Sequence, residues 1–450
     1  MKRRVWVIPV VVLLTVSVAV YALASDSGSI FDGLFSGLTK GDTVTISREE
    51  YERLKKYDKL DEISDYIEQY YYIEPDTDKM MKWAIDGMLA SLNDPYTFYY
   101  DADSWKSMWE EDEGEYAGVG IQMLGNYETD TVTISRVFKG TPAESAGIRK
   151  GDILKRVNDL TVTTQTMNDA VSIMRGGDGE TVEIEVERRG EPLTFTVARA
   201  QIKINWIESK MLEDNVGYIC LYEFAGDCAT AFEAEVKSLE EQGATSLVVD
   251  LRDNGGGWVA DALSIADIFL DKTLFFYSED RAGKREESYT TDGKDDIPLV
   301  LLVNEGSASS SEILSGGLQD AGRAKLVGTQ TYGKGIIQYV ISLSDQTDGM
   351  QFTYAQYYMP SGKPVHKVGI TPDLTVEMPE DFVGTYFDLG DMTDPQLKAA
   401  WEEAVAQRAL APAAEETPAP DDETVSVPED AQSASLTDLL SVIQQMKCCA

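Results

Sequence analysis

The sequence predicts a multidomain α/β protein, and three observations carry that expectation. The chain has 450 residues, room for two or three domains and at least one large core. From about residue 201 onward, short apolar runs alternate with helical periodicities, as repeated βα units around a largely buried sheet would. Upstream the pattern changes twice, with helical spacing over 48–110 and period-two alternation over 111–200. A hydrophobic content of 43% with 26% charged residues fits a globular protein. Lys and Arg number 39 against 78 Asp and Glu, a net charge of −39. That balance excludes nucleic acid as a partner, because phosphate binding needs a basic surface.

Lys2, Arg3 and Arg4 precede an uncharged apolar run over 5–24. Twenty such residues can cross a hydrocarbon core of about 30 Å as a helix. The basic cluster then stays cytoplasmic, so residues 1–4 form a cytoplasmic end and 5–24 a transmembrane signal anchor. Ala22-Leu23-Ala24 also suits a signal peptidase, so cleavage after Ala24 is the alternative. Either way the remainder is exported: the expected location is the cell membrane, single-pass, with the bulk of the chain extracytoplasmic. Residues 25–47, rich in Ser, Gly, Asp and Thr, read as a linker.

Over 48–110, Leu54, Leu60, Ile63, Tyr66, Ile67 and Tyr70 recur at threes and fours. A second run includes Met81, Ile85, Met88, Leu89 and Leu92, stopped by Asn93-Asp94-Pro95. These are packing helices, and an apolar stripe beyond intramolecular needs would suit a homodimer contact.

Residues 111–200 contain Gly118-Val119-Gly120-Ile121, an alternating strand over 131–137, Pro142-Ala143-Glu144-Ser145-Ala146-Gly147 and Gly151-Asp152-Ile153-Leu154. A helix over 169–174 and a strand over 181–188 follow. Successive N–H groups at a glycine-rich turn can hold a carboxylate while the adjoining strand edge pairs with an extended peptide. In this order the motifs resemble a PDZ domain, which implies that Gly118, Val119, Gly120 and Ile121 bind a peptide C-terminus.

Residues 201–381 read as the α/β core. Strands are expected at 216–219, 247–251, 299–303 and 325–327, helices at 229–241, 258–270 and 310–320, and an antiparallel pair at 336–343 and 351–359. Residues 382–410 end in a helix around 394–408. Residues 411–450 are acidic and Pro-rich and are expected to be disordered; the short apolar segment at 436–446 could dock but reads more simply as a frayed tail. The four cysteines fit no zinc site. Cys220 and Cys228 could bridge or remain two packed thiols.

The chemistry-bearing residues cluster in this core. Ser309 follows an apolar strand and opens a helix, where unpaired N–H groups and the helix dipole favour an oxyanion. Asp250-Leu251-Arg252-Asp253-Asn254-Gly255-Gly256-Gly257 follows a second buried strand, and its glycines let backbone approach a substrate. No Gly-Lys-Ser/Thr follows, so it is not a nucleotide P-loop. A serine needs a base, yet the only histidine of the chain is His366. Lysine can serve if burial disfavours its charged form. Lys334 lies between two glycines with Gln338 four residues on, a spacing that requires the chain to curl before the two side chains meet.

Ser-Ala-Ser-x-Ser-Glu-Ile, Gly-Lys-Gly-x-x-Gln, Asp-Leu-Arg-x-Asn-x-Gly-Gly, Asp-Pro-Tyr, Pro360-Ser361-Gly362 and Gly369-Ile370-Thr371-Pro372-Asp373 occur in the order of the carboxy-terminal processing (tail-specific) peptidases. The resemblance covers roughly residues 48–408. It implies a ClpP/crotonase-like peptidase core with a PDZ domain and an N-terminal helical region. It further implies Ser309 as nucleophile, Lys334 as general base, Gln338 orienting the lysine, and Gly256, Gly257 and Ser310 as oxyanion donors. Arg175, in Met174-Arg175-Gly176-Gly177, matches a position that couples the PDZ domain to the active site. Ser310 departs from the family's usual alanine and Gly255 from its frequent proline. The expected function is cleavage of protein substrates with free C-termini, without cofactor or metal. The rival readings are a catalytically silent PDZ scaffold and a crotonase-like acyl-CoA enzyme.

Overall fold

The computed structural model describes residues 45–126, 129–291, 293, 295–343, 346–382, 387–410 and 446–448. The apolar run over 5–24 and the linker up to residue 44 lie outside them. Among the described residues, no helix is long and apolar enough to cross a membrane.

The chain divides into two units, up to Met80 and from Met81. In the first, Ser47 and Glu50 form a reciprocal cap on the helix Arg48–Leu54, and the helix Asp58–Tyr70 follows. Expected to pack, these helices instead leave Tyr51, Leu54, Leu60, Ile63, Tyr66 and Tyr70 exposed.

The second unit holds two cores. In the PDZ-like part, strands Ile121–Asn126, Thr131–Val137, Ile153–Val157, Thr181–Arg188 and Glu191–Ala198 form one antiparallel sheet in that order. Their alternation turns Val132, Ile134, Val182, Ile184 and Val186 onto Ala170 and Met174 of the helix Met167–Met174. Ile121–Asn126, directly after the Gly-x-Gly turn, is an edge of this sheet.

The α/β core is built on six strands in the order Ile207–Met211, Val216–Leu221, Ser246–Asp250, Leu299–Val303, Ala324–Gly328 and Leu374–Thr375. Only the first pair is antiparallel. The apolar runs have no polar face because both faces are covered. Leu247, Val249, Leu299, Leu301 and Val303 pack with Phe232 and Phe269, from helices Cys228–Glu241 and Val259–Phe269, and with Ile313 from Ser310–Asp320. Val248, Val300 and Leu302 face Leu397, Ala400 and Ala404 of the helix Pro395–Leu410. Cys220 and Cys228 are free thiols.

A second, antiparallel sheet runs Gly257–Trp258, Met446–Cys448, Ile336–Ser342, Gly349–Tyr358, Leu274–Asp280 and Arg285–Tyr289. Phe98–Tyr100 pairs with its longest strand. The helix Ala102–Glu113 buries Trp105 and Met108 against Trp258 and Val340. Met446–Cys448 corrects the expectation that all of 411–450 is disordered. Its backbone is paired on both sides, which a frayed end would not be.

Candidate active site

Ser309 stands at a sharp turn between the buried strand Leu299–Val303 and the helix Ser310–Asp320. Its backbone has φ 60° and ψ −114°, a region that costs a residue with a Cβ about 1–3 kcal/mol. Its neighbours hold it there. Ser307 Oγ donates to the Leu251 carbonyl at 2.7 Å, Ala308 N–H to the Asn254 carbonyl at 3.1 Å, and Tyr357 hydroxyl to the Ser309 carbonyl at 3.2 Å. The Ser309 side chain is fully buried, and its Oγ makes no hydrogen bond among the described residues.

Glu312, three residues into the turn, is the hub. One carboxylate oxygen accepts the N–H of Ser309 at 2.9 Å and that of Lys334 at 2.8 Å. The other accepts Gly333 N–H at 2.7 Å and the Thr331 hydroxyl at 2.6 Å. Burial pushes this carboxyl upward even though these four donors oppose the shift. The serine-to-glutamate spacing is that of a capping box, a signal that could have found Glu312 from sequence.

The glycine loop is latched to the same helix. Ser310 Oγ donates to the Gly257 carbonyl and Ser311 Oγ to the Asn254 carbonyl, both at 2.9 Å. Ser310 therefore has a positive role where the family's usual alanine could not act. Asn254 is wholly buried and gives its amide to the Leu221 carbonyl at 2.8 Å. Its Oδ1 accepts Gly256 N–H at 2.9 Å, so one of the three expected oxyanion donors is engaged within the protein. Gly257 has φ +133°, and a Cβ there would strike the Phe224 backbone. Ser310 N–H is the first of its helix, where no intrahelical acceptor exists.

Lys334 is 1% exposed and approaches from the loop before Ile336–Ser342. Its flanking glycines serve close packing: a side chain at Gly335 would collide with the His366 backbone, and Lys367 N–H donates to the Gly333 carbonyl at 2.7 Å. The Lys334 ammonium lies 4.1 Å from the centre of the Tyr96 ring, a cation–π placement. Asp94 sets up Tyr96 by accepting its N–H at 3.0 Å and the Thr97 hydroxyl at 2.7 Å. Burial acts upward on the Asp94 carboxyl, but the Thr353 and Thr97 hydroxyls, the Tyr96 N–H and the Lys334 charge outweigh it and hold it low. Burial and Tyr332 push the Tyr96 phenol up to about 12. Gln338 is buried, with its amide 3.3 Å from the Thr353 hydroxyl and its Oε1 without a hydrogen bond among the described residues. The expected Gln338-to-lysine bond is thus not made in this arrangement. His366 is half-buried, with its ring held below its usual titration range by burial and by Lys367.

In the PDZ-like part, Gly118 and Val119 are buried ahead of the edge strand, and the Val119 and Gly120 carbonyls accept Ala143 N–H and Phe138 N–H. Arg175 is distant in sequence from the other candidates. It forms an ion pair with Glu111, stacks over Tyr116 at 5.1 Å and lines a cleft of about 300 Å³. The next residue of the same helix, Asp112, accepts the indole N–H of Trp258 beside Gly257. Asn254, Glu312, Tyr96 and Asp112 are the site residues that sequence reasoning missed.

Comparison with known proteins places the chain in a family. The family model for Peptidase family S41 matches residues 215–376, a PDZ domain residues 133–188, and the activating protease CtpB N-terminal domain residues 34–104. The carboxyl-terminal-processing protease of Picosynechococcus sp. is 38% identical over 335 residues, covering 73% of this chain and 80% of that protein. The carboxy-terminal-processing protease of Bartonella bacilliformis is 34% identical over 364 residues, covering 78% and 82%. Among solved structures, the photosystem II D1 C-terminal processing protease matches with a TM-score of 0.53 at 28% identity, covering 78% of this chain and 100% of that one. The chain belongs to the carboxyl-terminal-processing serine peptidases of family S41, with a PDZ domain ahead of its peptidase core.

Proposed function

We propose that this peptidase captures the C-terminus of a protein substrate in its PDZ domain and cleaves it with a Ser309/Lys334 dyad. The observation that carries the reading is the common anchorage of the two residues: a strained, buried serine and a buried lysine have their backbones tied to one Glu312 carboxylate. In the reaction Ser309 Oγ attacks the scissile carbonyl carbon and passes its proton to neutral Lys334. The ammonium then protonates the leaving amine, and water hydrolyses the acyl-enzyme. The N–H groups of Gly257 and Ser310 hold the oxyanion. Gln338 orients Lys334 once substrate brings the side chains together.

Gly118, Val119, Gly120 and Ile121 receive the substrate carboxylate, and the edge strand Ile121–Asn126 pairs with the residues before it. Partly buried Ile121, Met123 and Met167 favour an apolar C-terminus. Arg175 relays that occupancy through the helix Ala102–Glu113. The run over 5–24 anchors the protein in the cell membrane with the peptidase outside the cytoplasm. The exposed apolar residues of the N-terminal helices pair two copies.

The test is digestion of an unfolded protein ending in apolar residues by the chain and its Ser309→Ala and Lys334→Ala forms. Cleavage by the unmodified chain alone is expected. Retained cleavage by Lys334→Ala would remove the lysine base from the mechanism.

A further inference from the structure

The strand Met446–Cys448 lies between the two elements that frame the catalytic residues. On one side Cys448 pairs with Gly257 and Lys447 with Trp258; on the other Lys447 pairs with Gln338 and Met446 with Tyr339. Both pairings are antiparallel. A backbone inserted between two strands has its N–H and C=O groups satisfied from both edges. Such a slot accepts an extended peptide by its main chain and does not depend on side-chain identity. One wall carries an oxyanion glycine and the other carries Gln338. The chain's own segment fills this slot.

Two further observations fit a filled, resting site. Ser309 Oγ and Gln338 Oε1 are buried and make no hydrogen bond among the described residues, so the backbone is assembled while these two polar atoms are not engaged. The segment is also tethered. Between Leu410, where the last helix ends, and Met446 lie residues 411–445, which carry eight acidic residues and no basic one.

We propose that Met446–Cys448 is a tethered pseudosubstrate, occupying in cis the strand slot that a polypeptide substrate must enter. The proposal rests on the peptidase reading above. Attachment in cis places the segment at millimolar effective concentration; with the intrinsic affinity taken as about 0.1 mM, that raises the apparent KM roughly tenfold.

The experiment compares the full chain, a Lys447→Pro form and a chain ending at Leu410, using a fluorogenic peptide with apolar C-terminal residues. Proline at 447 removes a backbone donor in a strand flanked on both sides and leaves the peptidase core untouched. Both altered forms are expected to show a KM about tenfold lower with kcat unchanged. A synthetic peptide covering 436–450 is expected to inhibit the shortened chain competitively. Equal KM values in all three forms would overturn the proposal. So would removal of the tail from the unmodified chain but not from a Ser309→Ala chain, because the segment would then be a substrate and not a lasting occupant. If no form cleaves, the peptidase reading is at fault. The affinities of the same peptide for Ser309→Ala versions of the three forms then still decide whether the tail competes.

Discussion

The backbones of Ser309 and Lys334 share one acceptor: Glu312 Oε2 takes the N–H of Ser309 at 2.9 Å and that of Lys334 at 2.8 Å. A helix start and a loop far along the chain are thereby held in fixed register, which is what a dyad needs from its scaffold. Replacing Glu312 by Gln turns an amide donor toward at least one of four buried donors. A buried donor left unpaired costs about 1–3 kcal/mol. Glu312→Gln is therefore expected to lower the unfolding free energy by about 2 kcal/mol. Misplacement of the dyad is expected to lower kcat about a hundredfold. Peptide affinity of the PDZ domain should not change. Denaturant melts, steady-state kinetics and calorimetric titration check the three parts; an unchanged kcat would remove the positioning role.

Strain at Ser309 separates two substitutions that both remove the proposed nucleophile. With φ at 60° and ψ at −114°, alanine keeps the Cβ penalty while glycine relieves it. Ser309→Gly is expected to be more stable than Ser309→Ala by about 1 kcal/mol, reversing the usual order for the two residues. Equilibrium unfolding of both forms measures the difference. Alanine as the more stable of the two would mean that the turn is not strained.

How much of this was legible varied with sequence distance. Ser309 and Lys334 stood out because a serine-rich helix start and a lysine between glycines are local patterns, and the strands at 299–303 and 247–251 announced themselves by apolar runs buried on both faces. Glu312 was also within local reach, as a glutamate three residues after a serine. Tyr96 was not, because only the folded chain brings the Asp-Pro-Tyr turn under Lys334. The hairpin Leu274–Asp280 and Arg285–Tyr289 went unread because its outer strand is largely charged, as an edge strand tends to be. Met446–Cys448 is too short for any periodicity, and the apolar segment at 436–446 that leads into it reads more simply as a frayed tail than as a docked one.

Tyr96 gives the pH dependence a physical handle. A ring face 4.1 Å from the Lys334 ammonium favours the charged lysine, whereas a general base must be neutral. The rate should therefore climb toward alkaline pH. Tyr96→Leu removes the ring, so the rising limb is expected to move to lower pH. Tyr96→Phe keeps the face and should keep the limb. Profiles of kcat/KM for the three forms decide; a leucine profile superimposable on the original would leave Tyr96 a purely structural residue.

Asp261, on the helix Val259–Phe269, carries a different pH signature. Burial raises its carboxyl to about 6; Asp112 and Asp227 add to the rise while Cys228 opposes it. A carboxyl raised on folding stabilises the protein below its unfolded value, and that contribution is lost as pH rises through about 6. Asp261→Asn should match the unmodified chain near about pH 4 and exceed it by about 2 kcal/mol near about pH 8. Urea melts across that range read the gap directly. A gap that does not change with pH would show that Asp261 does not titrate there.

The proposed link from Arg175 to the oxyanion strand runs along one helix. Arg175 pairs with Glu111, while the adjacent Asp112 holds the Trp258 indole and Trp109 stacks on Trp258 with centroids 5.9 Å apart. The Arg175 and Glu111 side chains are 25% and 60% exposed, so the pair is worth at most about 1 kcal/mol. That weakness suits a latch that ligand binding can release, and it bounds the effect. Arg175→Ala is expected to change kcat by no more than about fivefold and, because binding no longer has to release the pair, to tighten PDZ peptide binding by no more than about the same factor. Asp112→Asn, which disturbs the contact next to Gly257, should cost more. If the charge-swapped pair Arg175→Glu with Glu111→Arg restores the original kcat, the ion pair itself carries the coupling. If it does not, Arg175 acts through its stacking on Tyr116, and Tyr116→Leu should then reproduce the loss.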